Sequence, residues 1–260
     1  MRPLCYNIRI AQRYIPPLKI AGIMSKNAKR YSRVEKVQHG FVPTPKKIKT
    51  IEICAKTYNQ QIYATALHSD PLVFVTGCAG TGKTYMAASM AAKKYNQRDV
   101  KSIVITRPNV ASGKGLGFFP GTLDEKMSPW VAPIIEVLIK HLGPQRVAAM
   151  KKDGSIVIEP FETMRGRTFD DAFIILDEAQ NTTYDQLKMF LTRIGKNSSV
   201  VVNGDVQQTD LQQNSGLHKI ITIIKSQMLP FPVIEMTEDD IVRSDICATW
   251  IKAFLKHERT

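Results

Sequence analysis

The chain has 260 residues, 43% of them hydrophobic and 23% charged, the balance of an ordinary soluble protein with enough length for one large core or two small ones. No run approaches the roughly 18 apolar residues of a membrane span, so a membrane protein of the helical kind is excluded. Cys5, Cys54, Cys78 and Cys247 are far apart, with no CxxC pair and no His spacing that suggests zinc, which predicts a reducing, cytoplasmic home.

The formal net charge is +13, and it is unevenly placed: residues 1–50 hold 12 Lys and Arg against one acid, Glu35. A basic arm of this kind attracts polyanions such as nucleic acid, the alternative being a solubilising extension. Residues 1–23 are acid-free, which also fits an organellar transit peptide, and Met24 ahead of a polar basic stretch reads as a second start. Pro43 and Pro45 punctuate residues 26–50, so the division expected is an irregular basic arm over 1–50 and a folded domain over 51–260.

Residues 56–67 read as a helix. A glutamine just ahead of a phosphate-binding loop can pair its amide with the donor and acceptor edge of adenine, and Gln60 is the candidate, with Gln61 the alternative. The short apolar run 72–76 is a strand, and the next eight residues, Gly77, Cys78, Ala79, Gly80, Thr81, Gly82, Lys83 and Thr84, spell GxxxxGKT. Chance supplies such a match in a chain of this length about once in a hundred. Glycines let successive backbone N–H groups turn inward onto an anion. Lys83 is expected to reach the β and γ phosphates of ATP or GTP, and the Thr84 hydroxyl to ligate Mg²⁺. Residues 84–95 are rich in helix formers, so a helix N-terminus faces the phosphates. Tyr85, in its first turn, completes the nucleotide-binding set, and Cys78 occupies a position read through its backbone.

Residues 102–106 form a second short strand, ending at Arg107, where a guanidinium can hold a phosphate of nucleotide or nucleic acid. The glycine-rich stretch 112–121, with Lys114, reads as a flexible loop over the same edge. Residues 123–142 are helix-like, but Pro129 and Pro133 predict two pieces. A third strand covers 155–159. Arg165 and Arg167, flanking Gly166, are a solvated turn or a phosphate or partner contact. The continuous apolar run before Asp177 and Glu178 predicts a fully buried strand that delivers two acids to the sheet edge. After a phosphate loop, Asp177 is expected to hold Mg²⁺ and Glu178 to orient and deprotonate the attacking water.

A helix over 183–194 and a strand over 198–203 lead to GDVQQ, whose Gln208 is placed to sense the γ-phosphate. A helix over 217–228, a strand over 232–237 and a helix over 247–256 close the chain. Arg243, in DDIVRS, is a charge-neutralising finger or a salt-bridge partner of the neighbouring acids. The alternation predicts an α/β fold, a mostly parallel sheet with helices on both faces.

These blocks together resemble the PhoH-like (phosphate-starvation-inducible) P-loop proteins of bacteria and their phages, over roughly residue 57 to the C-terminus. The resemblance rests on TxNQ (57–60), GCAGTGKT (77–84), TRPN (106–109), LGFFPG (116–121), EKMSPW (125–130), RGRTFDDAFIILDEAQN (165–181), LTRIG (191–195), GDVQQTDL (204–211), SGL (215–217) and DDIVRS. The LGFFPG and RGRT blocks are the more particular ones. The departures are Cys78, where proline is expected, and the longer basic arm. The resemblance implies a RecA-like ATPase core related to the first motor domain of superfamily 1 helicases, with RNA as the implied substrate, and a phage-encoded member. Helicase motors close their site between two such cores, and this chain has room for one, which predicts a ring, a hexamer, with Arg243, Arg165 or Arg167 completing the site in trans. The expected activity is Mg²⁺-dependent ATP hydrolysis coupled to single-stranded RNA or, second, DNA. The alternative is a nucleotide-gated nucleic-acid-binding module without translocation; small-molecule phosphotransfer is disfavoured, because adjacent acids suit water activation.

Overall fold

In the computed structural model the described residues are 51–108, 123–205 and 215–258, with the side chains of 123–126 and 258 left aside. The basic arm, the glycine-rich loop 112–121 and Gln208 lie outside the described residues.

The elements in chain order are α1 (Tyr58–Ser69), β1 (Leu72–Thr76), α2 (Lys83–Gln97), β2 (Ser102–Arg107), α3 (Leu123–Leu142), α4 (Pro144–Asp153), β3 (Ile156–Pro160), β4 (Ala172–Leu176), α5 (Tyr184–Leu191), β5 (Ser199–Gly204), α6 (Gly216–Ser226), β6 (Val233–Glu235) and α7 (Asp245–Glu258). The six strands form one sheet in the order β3-β2-β4-β5-β1-β6, every pair parallel. This is the α/β fold expected, with no antiparallel strand among the described residues.

A strand covered on both sides must be apolar at successive positions, and these are. Val73, Val75, Ile103, Ile105, Phe173, Ile175 and Val201 pack on one face against α1 to α4. Leu72, Phe74, Val104, Ile174, Leu176, Val200 and Val202 pack on the other, against α5 and α6. The register aligns Thr76 with Gly204 and Glu235, and Thr106 with Leu176, so the ends of β1, β2, β4, β5 and β6 open along one edge. From β1 the chain crosses over β5 and β4 to reach β2, whereas β6 lies on the other side of β1, and such a reversal leaves a crevice at the strand ends.

One expectation about the helices needs correction. Residues 123–142 form a single helix with Pro129 and Pro133 inside it, rather than two pieces. The two prolines are four residues apart and both exposed, so the missing N–H bonds fall on the solvent side, while Met127, Val131, Ile134 and Leu138 hold the opposite face in the core. Helix α4 was not anticipated. Its signals are Pro144 at the first turn and Gly154 in a left-handed C-cap (φ 81°).

Candidate functional site

The loop between β1 and α2 is shaped by close approaches. At Gly77 (φ 140°) a Cβ would fall 2.5 Å from the Met236 carbonyl oxygen, so only glycine lets the chain just past β6 come this near. At Gly80 (φ 85°) a Cβ would fall 2.9 Å from Cγ of Arg243, and Val242 N donates to Gly80 O at 3.0 Å. The segment 237–243 therefore lies directly on the loop. Helix α2 opens at Lys83 behind Gly82, with no side chain capping it, so its first-turn N–H groups are left for an anion.

The Lys83 ammonium sits within the loop, donating to Gly77 O (2.5 Å) and Cys78 O (2.9 Å), with Thr81 Oγ1 at 3.4 Å. Burial pushes its pKa below the usual lysine range, and the charges of Asp205, Asp177 and Glu178 pull partly the other way. Cys78 is buried and meets Lys83 and Thr81 through its carbonyl; burial pushes the thiol up. Ala79 stands exposed on the loop.

Opposite the loop, β4 ends and Asp177 N donates to Thr106 O at 3.0 Å. The Asp177 carboxylate accepts from Thr84 Oγ1 (3.1 Å to Oδ1, 3.3 Å to Oδ2) and from Asn203 Nδ2 (3.3 Å). Asn203 in turn accepts from Tyr63 OH at 3.1 Å, both residues being wholly buried. Burial and the neighbouring Glu178 charge raise the Asp177 pKa, against the hydrogen bonds from Asn203 and Thr84. Among the described residues no group of three or more His, Cys, Asp or Glu is arranged to hold a metal. Thr84 Oγ1 and the Asp177 carboxylate, which meet here, are protein oxygens that could ligate a hard cation such as Mg²⁺, whose other positions phosphate and water would fill.

Glu178 adopts a left-handed conformation (φ 56°), uncommon for a non-glycine residue and typical of constrained functional positions. Its Oε2 accepts from Gln180 Nε2 at 2.6 Å, and its Oε1 is 3.9 Å from the Arg107 guanidinium. Arg107 also lies over the Trp130 ring, 5.7 Å from its centroid, and donates to the Trp130 carbonyl at 3.4 Å.

Other expected residues are positioned as follows. Gln60 is buried, its Nε2 donating to Thr81 O (3.0 Å) and its Oε1 accepting from Lys56 N (2.8 Å), so its amide braces the loop from α1; Gln61 is exposed. Tyr85 turns to α3, with Lys140 Nζ 5.1 Å above its ring and the His141 ring at 6.3 Å. The stem of Arg243 crosses Gly80 of its own chain, and among the described residues it makes no ion pair with the acids beside it. Arg167 pairs with Glu159 at 2.6 Å, while Arg165 is exposed.

Sequence reasoning missed Tyr63, Asn203 and Asp240. Asn203 was visible as one polar residue ending an apolar strand. Asp240, 2% exposed, accepts from Thr57 Oγ1 (2.5 Å), Asn59 Nδ2 (2.8 Å) and Thr237 N (2.8 Å), fastening α1 to the segment that lies on the loop.

Comparison with known proteins gives the family. The model of the family described as PhoH-like protein matches residues 52–255. A PhoH-like protein of Mycobacterium bovis is 42% identical over 205 residues, covering 78% of this chain and 58% of that protein. A Bacillus subtilis relative is 42% identical over 213 residues, with 81% and 66% covered. Protein PhoH of Escherichia coli is 40% identical over 209 residues, with 79% and 59% covered. The chain thus spans about three fifths of the length of these relatives. Among solved structures, the SWI2/SNF2 ATPase core of Sulfolobus solfataricus in complex with double-stranded DNA aligns over 73% of this chain and 46% of its own, at 12% identity and a TM-score of 0.41. The Pif1 helicase of Candida albicans aligns over 70% and 40%, at 16% identity and a TM-score of 0.35. With its family model covering nearly all of the folded region and relatives at about 40% identity, the chain belongs to the PhoH-like protein family.

Proposed function

We propose that this protein binds ATP with Mg²⁺ at the β1–α2 loop and hydrolyses it, in a cycle coupled to single-stranded nucleic acid, RNA in preference to DNA. The observation that carries the reading is the 3.1 Å contact between Thr84 Oγ1 and Asp177, 93 residues apart in sequence yet joined where a phosphate loop faces an acid-bearing strand end. In this reading Lys83 exchanges the loop carbonyls for β and γ phosphate oxygens, and the open N–H groups of α2 hold the rest of the polyphosphate. Bound Mg²⁺, held by Thr84 and Asp177, supplies charge neutralisation on the phosphates. Glu178 takes a proton from the water that attacks the γ-phosphorus; the new P–O bond forms as the bond to the β-phosphate oxygen breaks.

Gln208 is assigned to γ-phosphate sensing and Arg107 to a phosphate contact beside Glu178. Gln60 and Tyr85 are assigned to the base end, Gln60 through the loop it braces. Arg243, whose stem crosses its own loop at Gly80, is assigned to a role in cis. Arg165, exposed at the end of the turn after β3, is the candidate for a neighbouring subunit's site.

A self-assembled ring, taken as a hexamer, and a cytoplasmic setting belong to the same proposal. The outer face of α7 supports assembly: Ile246, Trp250 and Phe254 stand exposed at four-residue intervals. No helix among the described residues is long and apolar enough to cross a membrane, and Cys54, Cys78 and Cys247 form no disulfide there.

The test is ATP hydrolysis by the full chain, with and without single-stranded RNA or DNA, across protein concentration. Stimulation by RNA above DNA and a specific activity that rises with concentration support the reading; no hydrolysis under any condition overturns it.

A further inference from the structure

Gln180 lies in the short turn Ala179–Asn181 that follows the acid pair, and it is 2% exposed. Its side chain is spent in two directions. Nε2 donates to Glu178 Oε2 at 2.6 Å, and Oε1 accepts from Asp205 N at 2.9 Å, just past the end of β5. The chemistry of the partners fixes this orientation, since an ionised carboxylate only accepts and a backbone N–H only donates. The main chain of β5 comes unusually close to make the second bond. A Cβ on Gly204 would lie 3.2 Å from Gln180 Oε1 and 3.3 Å from Gln180 N, tighter than side chains ordinarily pack.

An amide needed only to satisfy the Asp205 N–H has no reason to present its donor end to a carboxylate. Glu178, meanwhile, follows β4 in a left-handed conformation, and among the described residues its other oxygen is approached by the Arg107 guanidinium at 3.9 Å. Among the described residues the Gln180 bond is therefore the short, half-buried contact that sets which way the Glu178 carboxylate faces.

We propose that Gln180 is a positioning residue for hydrolysis, fixing the Glu178 carboxylate and tying it to the main chain at the end of β5, so that the base moves with that strand end and not through its own rotamers. The inference rests on Glu178 being the base. It follows that nucleotide binding is indifferent to Gln180 whereas turnover depends on it.

The experiment uses the full chain with Gln180→Ala and Gln180→Glu, each alone and combined with Glu178→Gln, reading kcat and KM for ATP together with the affinity for a fluorescent ATP analogue. Gln180→Ala is expected to lower kcat roughly 10–100-fold, the usual cost of losing a group that orients a reacting residue, with KM and analogue affinity within about threefold of wild type. Gln180→Glu keeps the volume and the acceptor for Asp205 N but has no donor for Glu178, and is expected to be about as slow; should the alanine variant melt early, this one carries the test. In the Glu178→Gln background neither substitution is expected to slow the residual rate further, because Gln180 acts through Glu178. Wild-type kcat in either single variant, or the same fold-loss in the Glu178→Gln background, overturns the proposal. Lost analogue binding overturns it too, by pointing to a packing role. A wild-type chain that hydrolyses no ATP instead removes the base assignment, and Gln180's role with it.

Discussion

Replacing Glu178 by Gln keeps the volume and an acceptor oxygen but removes the proton acceptor. Turnover is therefore expected to fall by about 10²–10⁴-fold while nucleotide affinity stays close to wild type. Parallel measurement of ATP hydrolysis and analogue binding checks this; turnover at the wild-type rate removes the assigned base. The residues of the loop and the acid pair were legible in the sequence because each is fixed by local spacing: glycine where φ is positive, Lys and Thr at a helix start, acids after a buried strand. Tyr63, Asn203 and Asp240 were not, because what they do depends on partners far along the chain, 140 residues for Tyr63 and Asn203 and 183 for Thr57 and Asp240. Tyr85 makes the same point in reverse, for its place beside Thr84 gives no hint of the Lys140 and His141 surface its ring rests on.

At the scale of elements, Asp240 joins α1 to the segment on the loop. Burial pushes its carboxyl pKa up, and hydrogen bonds from Thr57, Asn59 and Thr237 outweigh that and hold it below the usual range. A depressed folded-state pKa means that the stabilisation is complete above the unfolded value of about 3.9 and is lost as pH falls through the folded value. Asp240→Asn is expected to cost roughly 1–3 kcal/mol at neutral pH, with a smaller difference from wild type below about pH 4. Denaturant unfolding at both pH values reads this directly, and equal differences at the two would contradict it. Helix α3 gives a second prediction. Pro129 lies within a continuous helix and on its exposed face, so Pro129→Ala restores a backbone donor and is expected to raise stability, by up to about 3 kcal/mol if the site relaxes fully. A lowered Tm would mean that the proline itself stabilises the helix at this position. Strands were the most legible elements, since burial on both faces writes an uninterrupted apolar run. The prolines of α3 misled because local propensity says nothing of which face a residue takes, and that face decides whether the lost hydrogen bond matters.

For the whole molecule, the sheet order explains why the loop, Asp177, Glu178 and Asp205 meet at all: parallel register lines up the ends of β1, β5 and β4. The order itself was not legible, because no pairing information is carried by the strands' own composition. The basic arm supplies the prediction at this scale. If it contacts nucleic-acid phosphates, removing residues 1–50 is expected to flatten the salt dependence of RNA binding, and an unchanged slope makes the arm a bystander. The central claim, a triphosphate and Mg²⁺ seated between the β1–α2 loop and the acid-bearing end of β4, is tested most directly by equilibrium titration of ATP into the full chain, with Mg²⁺ and with chelator, for wild type and Lys83→Ala. The account predicts saturable binding that needs Mg²⁺ and is lost in Lys83→Ala; no binding by wild type, or binding indifferent to both Mg²⁺ and Lys83, would contradict it.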